Sequence, residues 1–405
     1  MKLLWAIVTV AVSVSLSTIA IYKSDREPKI ASLGSFIESP IQQPADDVLA
    51  LVNLGSRVAG TLESEKALAY LRSEYQKAGY ETEVQTFTYP KFEDRGSSII
   101  IDDNTVPGRA LNGSSAATPT ASTVVVPNYG RKEDFARIDV AGKIAVVKRG
   151  EIRFGNKASN AEAAGAVGLI IVNNAPNNFF GALDRKIDIP VLSVSGDRGE
   201  FLLQNTSDET RSLTLKVDTV RRQVTGRNLI ARQKNSTQPK VIIGGHYDSV
   251  SGSPGANDNA SGTAVVLNLA RRLARTPQAD RVWFVAFDGE EDGLHGSKAF
   301  VDRANTQFLS QLAGMINFDM VGINNELKIS GTSSLIELVE NSSLSRTKAV
   351  GGSDHIPFAN AKVPVLFFTR GLDPNYHTPG DVEVNPQLLD ETIEVGLKVT
   401  KQLLE

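Results

Sequence analysis

The sequence predicts an α/β protein, with a doubly wound mixed sheet that is interrupted by a separate β-rich module. Three observations predict this fold. From Asn228 onward, apolar β-branched runs alternate with stretches at helical spacing, as strands and helices do in a doubly wound sheet. Residues 241–243 are a continuous β-branched run, typical of a strand buried on both faces of a parallel sheet. Between residues 96 and 217, short β runs are instead separated by Gly, Pro, Asn and Asp.

The composition is that of a globular protein, and it excludes some partners and ligands. The chain has 405 residues, 41% hydrophobic and 22% charged, with a net charge of −3 at pH 7. No basic stretch could neutralise a row of phosphates, so nucleic acid is not expected as a partner. Cysteine is absent. A metal would therefore have to be held by His, Asp and Glu, without thiolate ligands.

The amino terminus has the pattern of an export signal. Met1 and Lys2 precede an uncharged stretch at residues 3–21. A signal peptide has an apolar core of about 7–15 residues and a membrane-spanning helix needs about 20, so residues 1–22 fit either a cleaved signal peptide or a retained membrane anchor. Residues 23–44 have the composition of a linker. We expect an exported protein that is secreted, periplasmic or anchored to the outer face of a membrane, with this anchor as its only membrane contact.

The main domain is predicted to consist of residues 45–95 and 218–405. Its first helix is expected at residues 46–54. Thr61 is the expected N-cap of a second helix, and Gly79 is expected to end it. The apolar stripe of that helix comprises Ala67, Leu68, Leu71 and Tyr75. Alternation of Thr and Val with polar residues predicts an edge strand at residues 81–89.

Residues 96–217 are predicted to form an inserted domain. The apolar runs at 144–147 and 169–172 predict two strands, and the alanine-rich segment between them predicts a short helix packed close through Gly165. The segments Asp-Val-Ala-Gly-Lys-Ile-Ala-Val-Val-Lys-Arg-Gly (139–150) and Ala-Gly-Ala-Val-Gly-Leu-Ile-Ile-Val-Asn-Asn (164–174) resemble the protease-associated (PA) domain. This resemblance implies a lid or substrate-guiding role without chemistry of its own.

Four predicted strands of the main domain are each followed by side chains that can bind a metal. The strands are expected at residues 241–243, 282–287, 313–318 and 363–368. Gly244 and Gly245 are expected to stop the first of them. The side chains that follow them are His246, Asp248, Asp258, Glu290, Glu291, Asp319 and His377. Open α/β sheets bind ligands at the carboxyl ends of their strands, so we expect these side chains to meet.

This set combines two imidazoles with several carboxylates, which suits zinc better than calcium or magnesium. Two divalent ions and one hydroxide would balance the charges of Asp258, Glu291 and Asp319. Without metal, the converging carboxylates would repel one another. The basic residues that an ion-pair network would need are missing from these motifs. The sequence therefore predicts a two-metal cluster.

The same motifs resemble those of the M28 family of co-catalytic zinc aminopeptidases. They are His-x-Asp (246–248), Asn-Asp-Asn-Ala-Ser-Gly (257–262), Asp-Gly-Glu-Glu (288–291), Asn-Phe-Asp-Met (317–320) and Tyr-His-Thr-Pro-Gly-Asp (376–381). The resemblance covers residues 45–95 and 220–405, and it implies the sheet of the zinc-dependent exopeptidases with an inserted PA domain. It implies two Zn²⁺ ions. His246 and Asp319 would bind one, Glu291 and His377 the other, and Asp258 would bridge both.

The resemblance also implies roles for residues around the metals. Glu290 would be the general base, and Asp248 would accept the second N–H of His246 and fix its tautomer. Relatives often place a tyrosine before Ser-Asp-His as oxyanion donor, but Val-Gly-Gly precedes residues 353–355 here. The donor therefore stays open, and His355 is a substitute donor, a residue beside the ligands, or a structural residue. His295 is expected at a helix start, without a metal.

We expect an exported metallo-aminopeptidase that hydrolyses amino-terminal residues from peptides through a metal-activated water, with Glu290 as general base. Two alternatives stay open. A carboxypeptidase, dipeptidase or glutaminyl cyclase could use the same di-zinc scaffold, and Arg370 is the one candidate to hold a terminal carboxylate. A non-catalytic receptor-like ectodomain is the other alternative, although a binding module would not need Glu290 beside Glu291.

Overall fold

Two mixed sheets, with helices packed on them, make up the part of the chain that the structure describes. The structure is a computed structural model, and it describes residues 42–177, 179, 181–204, 212–339, 345–346 and 352–405. The predictions for residues 1–22, and for the linker up to residue 41, lie outside the described residues.

The described helices are α1 (Pro44–Val52), α2 (Leu62–Lys77), α3 (Lys132–Phe135), α4 (Phe154–Ala163), α5 (Gly196–Leu203), α6 (Gly262–Leu273), α7 (His295–Arg303), α8 (Thr306–Ser310), α9 (Ser333–Leu338), α10 (His355–Asn360) and α11 (Pro386–Leu404). Within the same residues, none of the helices combines the length and the hydropathy that crossing a membrane requires.

The described strands are β1 (Glu81–Asp94), β2 (Ser98–Ile101), β3 (Asn104–Pro107), β4 (Arg109–Ala110), β5 (Thr120–Val125), β6 (Ile144–Lys148), β7 (Gly168–Val172), β8 (Val191–Val194), β9 (Ser212–Lys216), β10 (Thr219–Arg232), β11 (Val241–His246), β12 (Val282–Phe287), β13 (Gly314–Phe318), β14 (Lys328–Gly331), β15 (Ser345–Arg346) and β16 (Val365–Thr369).

The main sheet has the order β1-β10-β12-β11-β13-β16-β14-β15. Its four central strands, β12, β11, β13 and β16, are parallel, whereas β1, β10 and β14 join by antiparallel pairing. The central strands therefore end at one edge of the sheet, as expected for a doubly wound fold. The predicted α/β class with a mixed sheet is confirmed.

Helices cover both faces of this sheet, which explains why its central strands are hydrophobic throughout. On one face, Ile243 and Phe284 pack in a core with α1, α2, α6 and α11. On the other face, Ile242 and Val285 pack with Phe300 of α7 and with residues of α8 and α10. Successive residues of one strand thus enter different cores, and burial on both faces favours β-branched and aromatic residues there.

The second sheet has the order β3-β2-β9-β5-β6-β7-β8-β4 and lies within residues 98–216. Strands β6 and β7 correspond to the two predicted apolar runs, and α4 is the predicted helix between them. Gly165 does not lie in that helix. It follows α4 in the left-handed region (φ 84°), where it allows the chain to turn into β7.

Helix α1 and strand β11 of the main domain have boundaries that differ from the predictions. Helix α1 begins at Pro44, the last residue of the predicted linker, because proline fits the first turn of a helix. Strand β11 continues through Gly244 and Gly245 to His246. A Cβ on Gly244 would lie 2.6 Å from the ring of Phe287, and one on Gly245 would lie 2.7 Å from the carbonyl of Phe318. These glycines permit close approach of residues from the neighbouring strands and do not end β11.

Helix α2 and strand β1 precede the inserted domain, and α2 agrees with its prediction more closely than β1 does. Thr61 is the N-cap of α2, where its side chain accepts the N–H of Ser64, and Gly79 follows the helix with φ 94°. The edge strand β1 is longer than expected and runs to Asp94. It pairs with β10 over its whole length, from Glu81 to Asp94. Because only residues 229–231 of β10 also pair with β12, the rest of β1 and β10 forms a two-stranded ribbon.

Candidate active site

Two groups of ligand atoms share Asp258. Nε2 of His246 lies 3.3 Å from Oδ1 of Asp258 and 3.5 Å from Oδ1 of Asp319. Nε2 of His377 lies 3.1 Å from Oδ2 of Asp258 and 3.0 Å from Oε2 of Glu291. Each oxygen of the Asp258 carboxylate therefore faces a different imidazole. The structure brings together all five side chains that were predicted as metal ligands.

Parallel strands deliver most of these side chains to one edge of the main sheet. Strand β11 ends on His246 itself, Asp319 directly follows β13, and Glu291 lies in the turn after β12. His377 comes from the loop after β16, and its backbone is in the left-handed region, with φ 58°. Residues distant in sequence converge because all four strands end at the same edge.

Asp258 is positioned by hydrogen bonds to its neighbours. It lies in an irregular turn before α6. The carboxylate of Asp381 accepts the backbone N–H groups of Asn257 (2.7 Å) and Asp258 (3.1 Å). The side-chain amide of Asn259 donates to the carbonyl oxygen of Phe318 (3.0 Å), which ties the turn to the end of β13. Asp381 and Asn259 thus hold the turn that places the carboxylate between the two imidazoles.

Asp248 holds the turn that carries Glu290 and Glu291. Its Oδ1 accepts the N–H of Glu290 and its Oδ2 accepts the N–H of Glu291, both at 3.3 Å. Nδ1 of His246 lies 3.2 Å from the backbone oxygen of Asp248 and 3.5 Å from its Oδ1. Glu290 also offers an oxygen within 4.8 Å of the ligand atoms of His246 and Asp319. One buried aspartate therefore orients a histidine and both glutamates.

Close approach shifts the pKa values of these groups. Burial raises the pKa of Glu290 well above its ordinary value and raises the pKa of Glu291 to about 7. Burial would also raise the pKa of Asp258, but its contacts with His246 and His377 outweigh burial and hold this pKa below the usual range. Burial lowers the pKa of His377, yet Asp258 and Glu291 raise it to a net value of about 10. Additional positive charge would therefore stabilise the ionised carboxylates of this site.

The donor set fits zinc. Nε2 of His246, Oε1 of Glu291 and Oδ1 of Asp319 are buried and form no hydrogen bond with the described residues. Buried polar atoms nearly always have a partner. Ligand atoms that lie close together without hydrogen bonds therefore indicate a place for a metal ion. Imidazole nitrogens and carboxylate oxygens are the ligands that zinc takes where cysteine is absent. These residues could hold the metal as two groups joined by Asp258.

The other two histidines do not belong to the ligand groups. His355 is buried at the start of α10 and stacks on Phe367, with ring centroids 4.5 Å apart. Burial lowers the pKa of His355 to about 4, so its ring is neutral at pH 7. His295 is the first residue of α7 and stacks on Tyr89 at 4.0 Å, as expected for a residue at a helix start.

Arg370 is not free to bind a substrate carboxylate. Its guanidinium is 1% exposed and donates to the backbone oxygens of Val321, Asn325 and Leu388, and to the carboxylate of Glu391. The arginine that could have marked an exopeptidase acting from the carboxyl end is therefore committed to structural contacts.

Three residues near the site were not singled out from sequence. Asp381 lies at the end of the motif at residues 376–381, which predicts no role for it. Arg57 is fully buried, donates to the carbonyl oxygens of Tyr247 and Gly255, and carries positive charge toward Asp248, Asp258 and Glu291. Tyr376 stacks on His377 with ring centroids 3.7 Å apart. No sequence signal marks Arg57, whereas Tyr376 and Asp381 lie in the motif that contains His377.

Two family profiles match the chain. Peptidase family M28 matches residues 228–399, which contain all the predicted metal ligands. The PA domain matches residues 112–202, which lie within the second sheet and its helices.

Individual relatives agree with these matches. Aminopeptidase YwaD of Bacillus subtilis (strain 168) is 33% identical, over 92% of this chain and 84% of that protein. The solved structure of BSAP, a zinc aminopeptidase from Bacillus subtilis, superposes with a TM-score of 0.75 at 30% identity, over 89% of this chain and 95% of that one. A probable lipoprotein aminopeptidase, LpqL, of Mycobacterium tuberculosis is 32% identical, over 68% of this chain and 57% of that protein.

Proposed function

Because the chain belongs to peptidase family M28, we propose that it removes amino-terminal residues from peptides outside the cytoplasm, with two zinc ions and with Glu290 as general base. The chain is a zinc-dependent aminopeptidase with a PA domain. The number of metal ions, the identity of the base, the peptide substrates and the export are our proposals.

The proposal of two ions rests on Asp258, which belongs to both groups of ligand atoms. Its two oxygens face His246 and His377 separately, at 3.3 and 3.1 Å. We assign His246, Asp319 and Asp258 to one ion, and His377, Glu291 and Asp258 to the other. A bound pair of zinc ions would polarise the scissile carbonyl and lower the pKa of a water molecule.

Glu290 is the carboxylate that we assign to proton transfer. It lies next to Glu291 in the turn after β12, and Asp248 fixes the backbone N–H groups of both residues. Burial raises the pKa of Glu290, and a carboxylate with a higher pKa is a stronger base. Glu290 would take a proton from the attacking water and return it to the leaving amine.

We assign the oxyanion donor to Tyr376. Its ring stacks on the imidazole of His377, which places the residue directly beside the ligand cluster. Burial, together with Asp258, Glu291 and other carboxylates of the site, raises the pKa of Tyr376, so the hydroxyl keeps its proton and can donate it. His355 is less suited, because it packs against Phe367 and is 3% exposed.

Tyr376→Phe tests this assignment. The phenyl ring keeps the stack on His377, but it lacks the donor that would stabilise the developing negative charge. We expect kcat to fall by about 10²–10³ with zinc content unchanged, the loss typical of one oxyanion donor. Steady-state kinetics and metal analysis measure both quantities. A large loss in His355→Asn with near-normal turnover in Tyr376→Phe would transfer the role to His355.

The proposed substrates are peptides with a free amino terminus. Two zinc ions and a hydroxide would balance Asp258, Glu291 and Asp319, and the remaining carboxylate of Glu290 would attract the terminal ammonium group. We expect purified enzyme to cleave free peptides and their carboxyl-terminal amides at similar rates, and to leave amino-acetylated peptides intact. Mass spectrometry of the products identifies the end that is shortened. Cleavage that needs a free carboxyl terminus would contradict the proposal, and the structural contacts of Arg370 argue against that result.

A further inference from the structure

The turn that carries Glu290 and Glu291, residues 288–294, needs support from outside. Gly289, Gly293 and Leu294 have φ values of 70°, 120° and 63°, so three of its residues lie in the left-handed region. For Leu294 this conformation costs free energy, because its Cβ crowds the backbone. We call residues 288–294 the catalytic turn. On one side, the carboxylate of Asp248 accepts backbone N–H groups of this turn. On the other side, the side chain of Asp292 links the turn to Tyr89 of β1.

Asp292 is bound by two side chains of β1. The hydroxyl of Tyr89 donates to Oδ2 of Asp292 at 2.6 Å, and Nζ of Lys91 lies 2.9 Å from the same oxygen. Tyr89 is buried, and the side chains of Lys91 and Asp292 are 13% and 16% exposed. The ring of Tyr89 also stacks on His295, directly after the turn. Hydrogen bonds to charged groups that are largely shielded from solvent are stronger than contacts at the surface.

Tyr89 and Lys91 lie in the two-stranded ribbon that leads to the inserted domain. They pair with Val224 and Arg222 of β10, beyond the residues of β10 that also pair with β12. The ribbon is in turn fixed to the inserted domain, because the carboxylate of Asp94 accepts the N–H groups of Ser97 (2.9 Å) and Ala110 (2.8 Å). A continuous set of contacts therefore runs from the inserted domain to the catalytic turn.

We propose that Asp292 is a positioning residue that fastens the catalytic turn to the ribbon through Tyr89 and Lys91. The orientation of Glu290 then depends on the ribbon, and through the ribbon on the inserted domain at its end. Among the described residues, Asp292 belongs to neither group of ligand atoms. Its effect on turnover passes through the position of Glu290, so this inference rests on the proposed role of Glu290 as base.

The test compares Asp292→Asn, Tyr89→Phe and the double variant of the full chain. Each single change weakens the contact between ribbon and turn, and we expect kcat to fall by about 10-fold, the effect of one hydrogen bond to a charged group. KM and zinc content should stay within about 2-fold, because substrate and metal ligands are untouched. The loss in the double variant should be smaller than the product of the two single losses, because both changes act on the hydrogen bond between Tyr89 and Asp292. Lys91→Met tests that contact independently if Asp292→Asn does not fold.

Glu93→Gln is the matched control. It removes an exposed ion pair with Arg222 on the same ribbon, with side chains 43% and 48% exposed, so kcat should not change. Normal kcat in folded Tyr89→Phe and Lys91→Met, or losses that multiply in the double variant, would overturn the inference. A loss of kcat in Glu93→Gln as large as in Tyr89→Phe would also overturn it. Normal turnover in Glu290→Gln would instead refute the proposed mechanism, whatever the ribbon variants show.

Discussion

Glu290→Gln is expected to lower kcat by about 10²–10⁴ while the enzyme keeps its full zinc content, because glutamine preserves the size of the side chain but cannot take a proton. The neighbouring backbone should stay in place, since Asp248 binds the N–H groups of both glutamates and the substitution does not change them. Zinc content by metal analysis, together with kcat and KM, separates a lost base from a lost ligand.

Glu291→Gln is the matched control for this prediction. The two residues are adjacent in the same turn, but Oε2 of Glu291 lies 3.0 Å from Nε2 of His377. Glu291→Gln should therefore weaken one metal site, and added zinc should restore part of its activity. Glu290 has an oxygen within 4.8 Å of the ligand atoms of His246 and Asp319, so it is close enough to bind metal. Loss of zinc in Glu290→Gln, with normal zinc in Glu291→Gln, would exchange the two roles.

The convergence of the ligands could be predicted from sequence because it depends on strand direction alone. Buried parallel strands have a recognisable composition, and the residues that follow them meet at one edge whatever the details of packing. His246 and Asp319 are the clearest cases, since one ends a strand and the other directly follows one. Asp258 could be placed because the helix after it has a clear apolar stripe.

The supporting contacts could not be predicted, because they join segments whose separation in sequence carries no pattern. Arg57 reaches the carbonyl oxygen of Tyr247, and Tyr89 reaches Asp292, across distances that periodicity does not encode. Because glycine is often a terminator, the two glycines of β11 predict a strand end. They are in fact places where Phe287 and the carbonyl oxygen of Phe318 approach the backbone. A residue type can indicate an unusual position without revealing its cause.

Removal of metal is expected to abolish activity and to lower the melting temperature together. The ligands come from the turn before α6, the ends of β11 and β13, the turn after β12 and the loop after β16, so bound zinc would hold together segments that otherwise repel. A ligand at a thousand times its Kd stabilises the folded state by about 4 kcal/mol. Treatment with a chelator, followed by calorimetry and by titration with zinc, measures this effect. Full activity after complete removal of metal would refute the zinc mechanism.

Asp258→Asn and Glu291→Gln distinguish two ions from one. Because the oxygens of Asp258 face both imidazoles, its substitution should reduce the zinc content from two ions per chain to well below one, whereas Glu291→Gln should leave about one. Asp302→Asn, at an exposed aspartate of α7, is the control and should keep both. Unaltered enzyme that never binds more than one zinc ion would show that the two groups around Asp258 serve a single metal.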